Sequence, residues 1–510
     1  MTRSAPAVVL PGDWHESLRR GIGVVAEIRA SAHGFSAQGL AEATLSPKGS
    51  HPGAFFFLES QGDLGSKRIS LMAGDPLFSF LARGNRGVWH SGGLARDLES
   101  APDQVFATLG RVFGAQGVSE NEPGLTPLMG WLSYEAGAAF DRQPVSGEDP
   151  VGLPDWYLML PGEWCWFDPE MDVWRFRLSL AGSAFYKKYE RALGLKGSEE
   201  GDFPLLRVEE MIEEWRGNVA KRLDRAVHND SQPSALARPR RLEVTDSSDR
   251  KRYCETVQRA KEYIAAGDIF QVNLSHRLSA PYSGKAWDLY RRLGQINPSP
   301  FAAFADLGSY QIVSASPERL FLQDGDRVET HPIAGTIPRS AASAGHSISE
   351  KERAEHVMTV DIERNDLSRV CEPGSVKVEN LMKLESASHV HHLVSRVEGR
   401  LRDGKDLADL FRAAFPGGSV TGAPKVRCMQ VIAELEKGRR GVYTGSLGFW
   451  DPIHKKAGFN MLIRTILLCR GRAWWQVGGG IVADSDPDLE WEETMQKGAA
   501  LRLALETSPR

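Results

Sequence analysis

The chain has 510 residues, 41% of them hydrophobic and 25% charged, which excludes wholesale disorder and leaves ample material for a large core. Lys and Arg number 62 against 66 Asp and Glu, a net charge of −4 that argues against nucleic acid or an anionic membrane as the main partner. Five scattered cysteines form no CxxC pair, the apolar run Met461–Cys469 is broken by Arg464, and the N-terminus is a poor signal peptide; a cytoplasmic protein with free thiols is expected.

Residues 1–195 read as a sheet-rich N-terminal region. Apolar strands are expected at Gly53–Leu58 and Gly130–Tyr134, with Trp164–Pro169 and Val173–Leu178 as hairpin partners. Residues 196–250 read as a linker, polar and rich in Pro and Ser, around a charged helix-like stretch from Arg207 to Val227. Residues 251–510 carry the sharper signals. Tyr253, Val257, Ala260 and Ile264 mark one helical face, closed by Gly267. Phe270, Val272 and Leu274 then alternate with Gln271, Asn273 and Ser275, a strand with an apolar and a polar side.

Glu318 follows the strand expected at Gln311–Ser316. A carboxyl there, close to other acids, suits a general acid; the plainer reading is an exposed turn residue paired with Arg319. Glu352 and Glu355 stand at i, i+3, and Ser349 with Glu352 also matches a capping box. His389, His391 and His392 cluster in an extended segment whose alternation splits the last two between faces, which disfavours a metal site. A helix is expected from Pro424 to Leu435 with Pro at its first position. Arg464 interrupts the apolar strand Phe459–Leu468 and needs an anion, from a substrate or from a structural carboxylate.

The strand Trp474–Val482 ends in Gly478-Gly479-Gly480, and a final helix opens at Asp486 (N-cap) and Pro487. On that helix Glu490, Glu493 and Lys497 share one face. They form either a solvated stripe with a Glu493–Lys497 pair or a paired-carboxylate magnesium site beside an anion-binding lysine. With Glu352 and Glu355, they suggest a bipartite hard-metal site if the fold joins the two helices. The Gly335-Thr336, Pro416–Lys425 and Gly478–Gly480 loops can present backbone N–H groups to carboxylates, or be tight turns. No GxxxxGK[ST] and no strand–GxGxxG–helix supports nucleotide binding, and no Cys sits in a G-x-C-x-G turn of a glutaminase.

In order, Gly267–Ser275, Ser314–Arg319, Pro332–Thr336, Asp361–Leu367, His391–Ser395, Gly418–Lys425, Arg440–Gly445 and Gly478–Pro487 resemble the chorismate-utilising enzymes over residues 250–505. Phe57–Ser60 is similar to the stretch where anthranilate synthase-type subunits hold tryptophan. The resemblance implies an α/β (α+β) fold of the anthranilate synthase component I type, two packed antiparallel-rich sheets with outer helices. Asn273, Cys371–Val376, Val390–Leu393, Ser419–Gly422, Phe459-Asn460 and Gly478–Gly480 are most similar to the aminodeoxychorismate synthase component I branch. Ala334 departs from it, standing where that branch often has a nucleophilic lysine, as in anthranilate synthases.

Carried over, the resemblance implies that Glu355 and Glu493 bind Mg2+ with Glu352 and Glu490 nearby, and that Glu318 protonates the departing hydroxyl. Gly335, Thr336, Thr421, Tyr443, Arg464, Gly478, Gly479, Gly480 and Lys497 would hold chorismate, and His392 would line the pocket. Gln271, where water-adding relatives carry a lysine, is an amide that cannot serve as a base and favours ammonia as nucleophile. Ammonia would come from solution or from a glutamine amidotransferase subunit. Ser60 and Pro300 would contact a bound L-tryptophan. Three functions stand: amination of chorismate at C4, anthranilate synthesis, and a non-catalytic tryptophan-sensing or partner subunit.

Overall fold

The computed structural model describes residues 7–10, 24–31, 36–45, 54–61, 70–84, 86–91, 94–99, 102–114, 127–141, 147–169, 171–180, 205–229, 239–338, 350–386 and 390–508. Its sheet strands pair antiparallel and form two packed layers. One run passes from Gln271–Pro281 through Arg472–Ile481, Thr465–Cys469, Tyr310–Ser316 and Phe301–Asp306 to Phe55–Glu59 of the N-terminal region. Another joins Trp156–Asp168 and Leu128–Leu132 to Ser446–Asp451, Lys456–Met461 and Arg319–Asp324. Strand pairing therefore links the N-terminal and C-terminal regions directly. Phe56, Met129, Trp131, Ile312, Leu447 and Leu467 fill the space between the layers, and helices cover the outer faces.

Several elements follow from their residues. The helix Arg250–Ala265 buries Tyr253, Val257 and Ala260 on the face their spacing defines, and Gly267 follows at φ +79. Trp156–Asp168 and Val173–Leu180 form the expected hairpin. In the expected linker, Leu205–Asn229 is a helix that buries Trp215, Val219 and Ala226 against the N-terminal sheet, so this stretch is part of the core. No described helix is long and apolar enough to cross a membrane.

Three local expectations are corrected. Phe270 is 69% exposed: its N–H bonds the Ala423 carbonyl at 2.8 Å and the strand begins only at Gln271. Pro424 caps the helix Lys425–Leu435 from outside instead of occupying its first turn. Arg464 does not lie within a strand. The apolar run splits into Lys456–Met461 and Thr465–Cys469, and Arg464 holds φ +52 in the reversal between them.

Candidate active site

Glu318 and Arg464 stand at the same end of adjacent strands. Ser314 pairs with Thr465, the Ala315 N–H donates to the Arg464 carbonyl at 3.1 Å, and the Met461 N–H donates to the Glu318 carbonyl at 3.0 Å. Glu318 is 5% exposed, not an exposed turn residue, and Arg319 pairs with Glu329 instead. The Ser419 hydroxyl donates to Glu318 Oε1 at 2.8 Å. Burial pushes the Glu318 carboxyl up to about 8, against the pull of the Ser419 hydrogen bond and the Lys497 charge. The acid is thus protonated at neutral pH and able to give its proton away.

The final helix, Pro487–Thr507, brings the other charges. Asp486 caps it by accepting the N–H groups of Asp488 and Leu489. Glu490 is 4% exposed and accepts the Ser485 hydroxyl at 2.6 Å, while Lys497 bonds Glu493 at 2.7 Å and the Gly478 carbonyl at 3.3 Å. The triple glycine lets this helix and the neighbouring side chains come close. A Cβ on Gly479 would lie 3.2 Å from Glu490 Oε2 and 3.9 Å from Lys497 Nζ. On the opposite face a Cβ on Gly478 would lie 2.6 Å from the Tyr443 hydroxyl, and one on Gly480 would strike the Gln271 amide. Tyr443 donates to Asn273 Oδ1 at 3.4 Å. Thr444 N–H bonds the Leu462 carbonyl, which holds Tyr443 beside the Arg464 reversal. Among the described residues no carboxylate pairs with the Arg464 guanidinium; burial lowers its pKa and only the charge of Tyr443 opposes this.

Glu318, Ser419, Lys497, Tyr443, Arg464, Gly478–Gly480, Glu490 and Gln271 are therefore one neighbourhood. Thr421 is fully buried and bonds the Gly417 carbonyl at 2.7 Å, so its hydroxyl shapes the glycine loop. Glu355 lies on the helix Glu350–Ser368, which packs on the strands Ile333–Pro338 and Val390–Arg400. A bulge between Ala334 and Thr336 places Gly335 out of register, with Thr336 opposite His392. The side chains of Glu352, Thr336 and His392, and all of Ser349 and His389, lie outside the described residues. Among the described residues, no group of three or more His, Cys, Asp or Glu side chains is close enough to hold a metal ion.

Two residues that the sequence reading left without a role belong here. Ser419 is the hydrogen-bond partner of Glu318. Glu363 is buried, and burial and the Glu318 charge raise it well above the usual carboxylate range. Its i+8 spacing from Glu355, through Thr359, puts the three in one row on the helix and was the available signal. Lys425 is not free to meet a ligand: it bonds Asp366 at 2.7 Å and the Ala413 carbonyl at 3.2 Å. Ser60 follows the strand Phe55–Glu59 and Pro300 precedes its partner Phe301–Asp306, where the Gln61 N–H bonds the Ser299 carbonyl at 3.0 Å.

The chorismate binding enzyme family matches residues 78–502. Aminodeoxychorismate synthase component 1 of Bacillus subtilis (strain 168) is 39% identical over 393 residues, 74% of this chain and 77% of the relative. Anthranilate synthase component 1 of Streptomyces coelicolor is also 39% identical, over 406 residues, 75% of this chain and 74% of the relative. The crystal structure of anthranilate synthase component I from Streptococcus pneumoniae superposes with a TM-score of 0.69 at 29% identity, covering 86% of this chain and 93% of that one. The expected anthranilate synthase component I type of fold is the one observed, and the chain belongs to the chorismate binding enzyme family.

Proposed function

We propose that this protein aminates chorismate with ammonia to give 4-amino-4-deoxychorismate, in the manner of an aminodeoxychorismate synthase component I. The observation that carries the reading is Glu318: a buried carboxyl, protonated at neutral pH, in one neighbourhood with the cations Lys497 and Arg464. Chorismate is a dianion that loses a hydroxyl group. Arg464, lacking a carboxylate partner among the described residues, takes one substrate carboxylate, and Tyr443 and the glycine strand shape the floor beneath it. Glu318 gives its proton to the departing hydroxyl oxygen, and Ser419 steadies the carboxylate left behind. Gln271, a neutral amide, generates no hydroxide, which favours ammonia over water as nucleophile.

Hard carboxylate oxygens suit magnesium, and Glu490 Oε2 and Lys497 Nζ border the face of Gly479, 3.2 and 3.9 Å from where a Cβ would stand. Glu355 and Glu493 would hold the ion with Glu352 and Glu490 beside them, and its charge would neutralise the ring carboxylate.

Asn273, Ser419 and Asn460 favour the C4 product. Ala334 favours the second reading, anthranilate synthase component I, and relatives of both names are equally similar. A non-catalytic tryptophan sensor would have no use for a buried acid held protonated beside the Lys497 charge. Ammonia comes from solution or from a separate glutamine amidotransferase subunit in the cytoplasm. Ser60 and Pro300 are the proposed tryptophan contacts, and calorimetric titration with L-tryptophan tests them without touching the active-site assignment. The deciding experiment is incubation with chorismate, Mg2+ and ammonium, followed by product identification. 4-Amino-4-deoxychorismate is expected. Anthranilate would establish the second reading, and no turnover, even with added glutaminase, the sensor.

A further inference from the structure

Behind the acidic face of the final helix runs a hydrogen-bonded chain, buried at Thr494 and His276 and half-buried at Asp246, that the chemistry above does not use. His276, on the strand Gln271–Pro281, is 2% exposed. Its Nδ1 lies 2.9 and 3.0 Å from the two carboxylate oxygens of Asp246, and its Nε2 lies 3.1 Å from the Thr494 hydroxyl. One face of the ring stacks on Trp491, with centroids 4.7 Å apart and planes at 22°. Thr494 is fully buried, and its hydroxyl also meets the Trp491 carbonyl at 2.7 Å. Asp246 is fixed in turn: it accepts the Ser248 N–H at 3.0 Å. Beside it, the Ser247 N–H bonds the Arg277 carbonyl at 2.8 Å and Ser247 Oγ accepts the Arg277 N–H at 2.9 Å.

Thr494 follows Glu493 directly, four residues after Glu490 and three before Lys497. Any shift of Thr494 along or around the helix axis moves all three. The far half of the helix is held by Leu501, Ala504 and Leu505, buried with Trp475 and Val477, while the half that carries the acids meets the glycines. Gly479 offers no side chain to interdigitate, and Gly498 lies flat on Val477, where a Cβ would stand 3.0 Å from Val477 Cγ1. Over the glycines the contact has few of the side-chain ridges that set register in helix packing. A directional hydrogen bond at both ends of a rigid ring adds a constraint on register beside the acids. An apolar side chain of the same size would fill the space at lower desolvation cost, so stability alone does not call for an imidazole and a carboxylate there.

We propose that His276, braced by Asp246, is a positioning residue that sets the register of the final helix through Thr494 and so places Glu490, Glu493 and Lys497. This rests on the assignment of those three to metal and substrate. It acts as supporting contacts around metal ligands do, through geometry and not by touching the reacting atoms.

The test compares His276→Phe, which keeps the ring and its stack, with Thr494→Val, which keeps shape and loses the hydroxyl, their double variant, and Thr494→Ser. Mg2+ binding is read by calorimetry with magnesium chloride, alongside kcat, the KM for chorismate and Tm. Each of the first two variants is expected to weaken Mg2+ binding about tenfold and to lower kcat by a similar factor, as loss of such supporting contacts does. The double variant should be no worse than either single one, and Thr494→Ser should recover most of the loss. Wild-type Mg2+ binding and kcat in His276→Phe, with only Tm reduced, would make the contact purely structural. Multiplying effects in the double variant would show that the two residues do not act through one another. Should His276→Phe fail to fold, the Val and Ser variants at position 494 still decide. A wild-type protein that binds Mg2+ but turns over no chorismate would sink the proposed reaction, and the Mg2+ affinities of the variants would still judge the clamp.

Discussion

The Ser419 hydroxyl donates a 2.8 Å hydrogen bond to Glu318 although 101 residues separate them, joining a glycine-rich loop to the end of a central strand. The bond holds one carboxylate oxygen and leaves the acid otherwise in a dry environment. Burial wins over this bond and over the Lys497 charge, and the carboxyl rises from its ordinary 4.5 to about 8. Activity that needs the protonated acid should therefore fall as pH climbs through about 8.

Glu318→Gln keeps shape and removes the proton donor. Its kcat should drop by about 10²–10⁴, the range for a lost general acid, and the high-pH limb should vanish from what remains. Stability should move the other way. A carboxyl whose folded pKa lies above its unfolded value destabilises the native state progressively as pH rises from about 4.5 to about 8. The Tm advantage of the Gln variant over the parent should thus grow between pH 5 and pH 8, measured by calorimetry. An unchanged kcat would remove Glu318 from the chemistry.

Ser419→Ala deletes a hydrogen bond that favours the charged form of Glu318. The acid should hold its proton more tightly, and the high-pH limb should move up by about one unit, the worth of a hydrogen bond to a charged group. A limb moving down would mean that the serine acts on another group.

The legible parts of the chain were those where local chemistry decides. The Asp486-Pro487 start of the final helix and the spacing of Tyr253, Val257 and Ala260 need only capping and a period of 3.6 residues. The Glu493–Lys497 pair follows from an i, i+4 spacing, and the structure keeps it, yet buries Glu490 one turn earlier. What stayed hidden depends on partners distant in sequence. Gln271 and Asn273, on the polar side of their strand, are buried because that side faces the space between the sheets. Nothing in Leu462-Ile463-Arg464-Thr465 announces a reversal, since an arginine at φ +52 carries no turn signal. Leu205–Asn229 lies between polar segments and looks solvated until the N-terminal sheet supplies a face for Trp215 and Val219.

The two sides of the glycine strand should respond differently to one methyl group. Gly479→Ala adds a Cβ 3.2 Å from Glu490 Oε2, a side-chain end that can give way, so the protein should fold while its KM for chorismate rises several-fold. Gly478→Ala places a Cβ 2.5 Å from the Leu274 carbonyl of the paired strand, which is backbone and cannot yield. That variant should lose about 1–3 kcal/mol of stability or more. Urea titration of both checks the contrast.

Glu493→Gln and Glu355→Gln each keep shape and remove one negative charge from the proposed hard-cation site. Each should abolish activity at limiting magnesium with the circular dichroism spectrum unchanged. Full activity in either, at saturating chorismate, would dismiss that residue as a ligand.

Ala334 lies on the strand Ile333–Pro338, immediately before the bulge that sets Gly335 out of register. A methyl group has no lone pair, so no covalent bond to the substrate ring can form at this position. Lys425 and Lys497 are engaged elsewhere: Lys425 is tied to Asp366 at 2.7 Å, and Lys497 bonds Glu493 at 2.7 Å and the Gly478 carbonyl. In the proposed reaction ammonia, small and nucleophilic when unprotonated, would then add directly to the ring, and the shape of the pocket would select C2 or C4. Intact-protein mass spectrometry after incubation with chorismate and Mg2+, without ammonia, should find only the unmodified mass. An adduct mapping to Lys497 would mean that a cleft lysine has left its ion pair to act as the nucleophile, and direct addition would have to be abandoned.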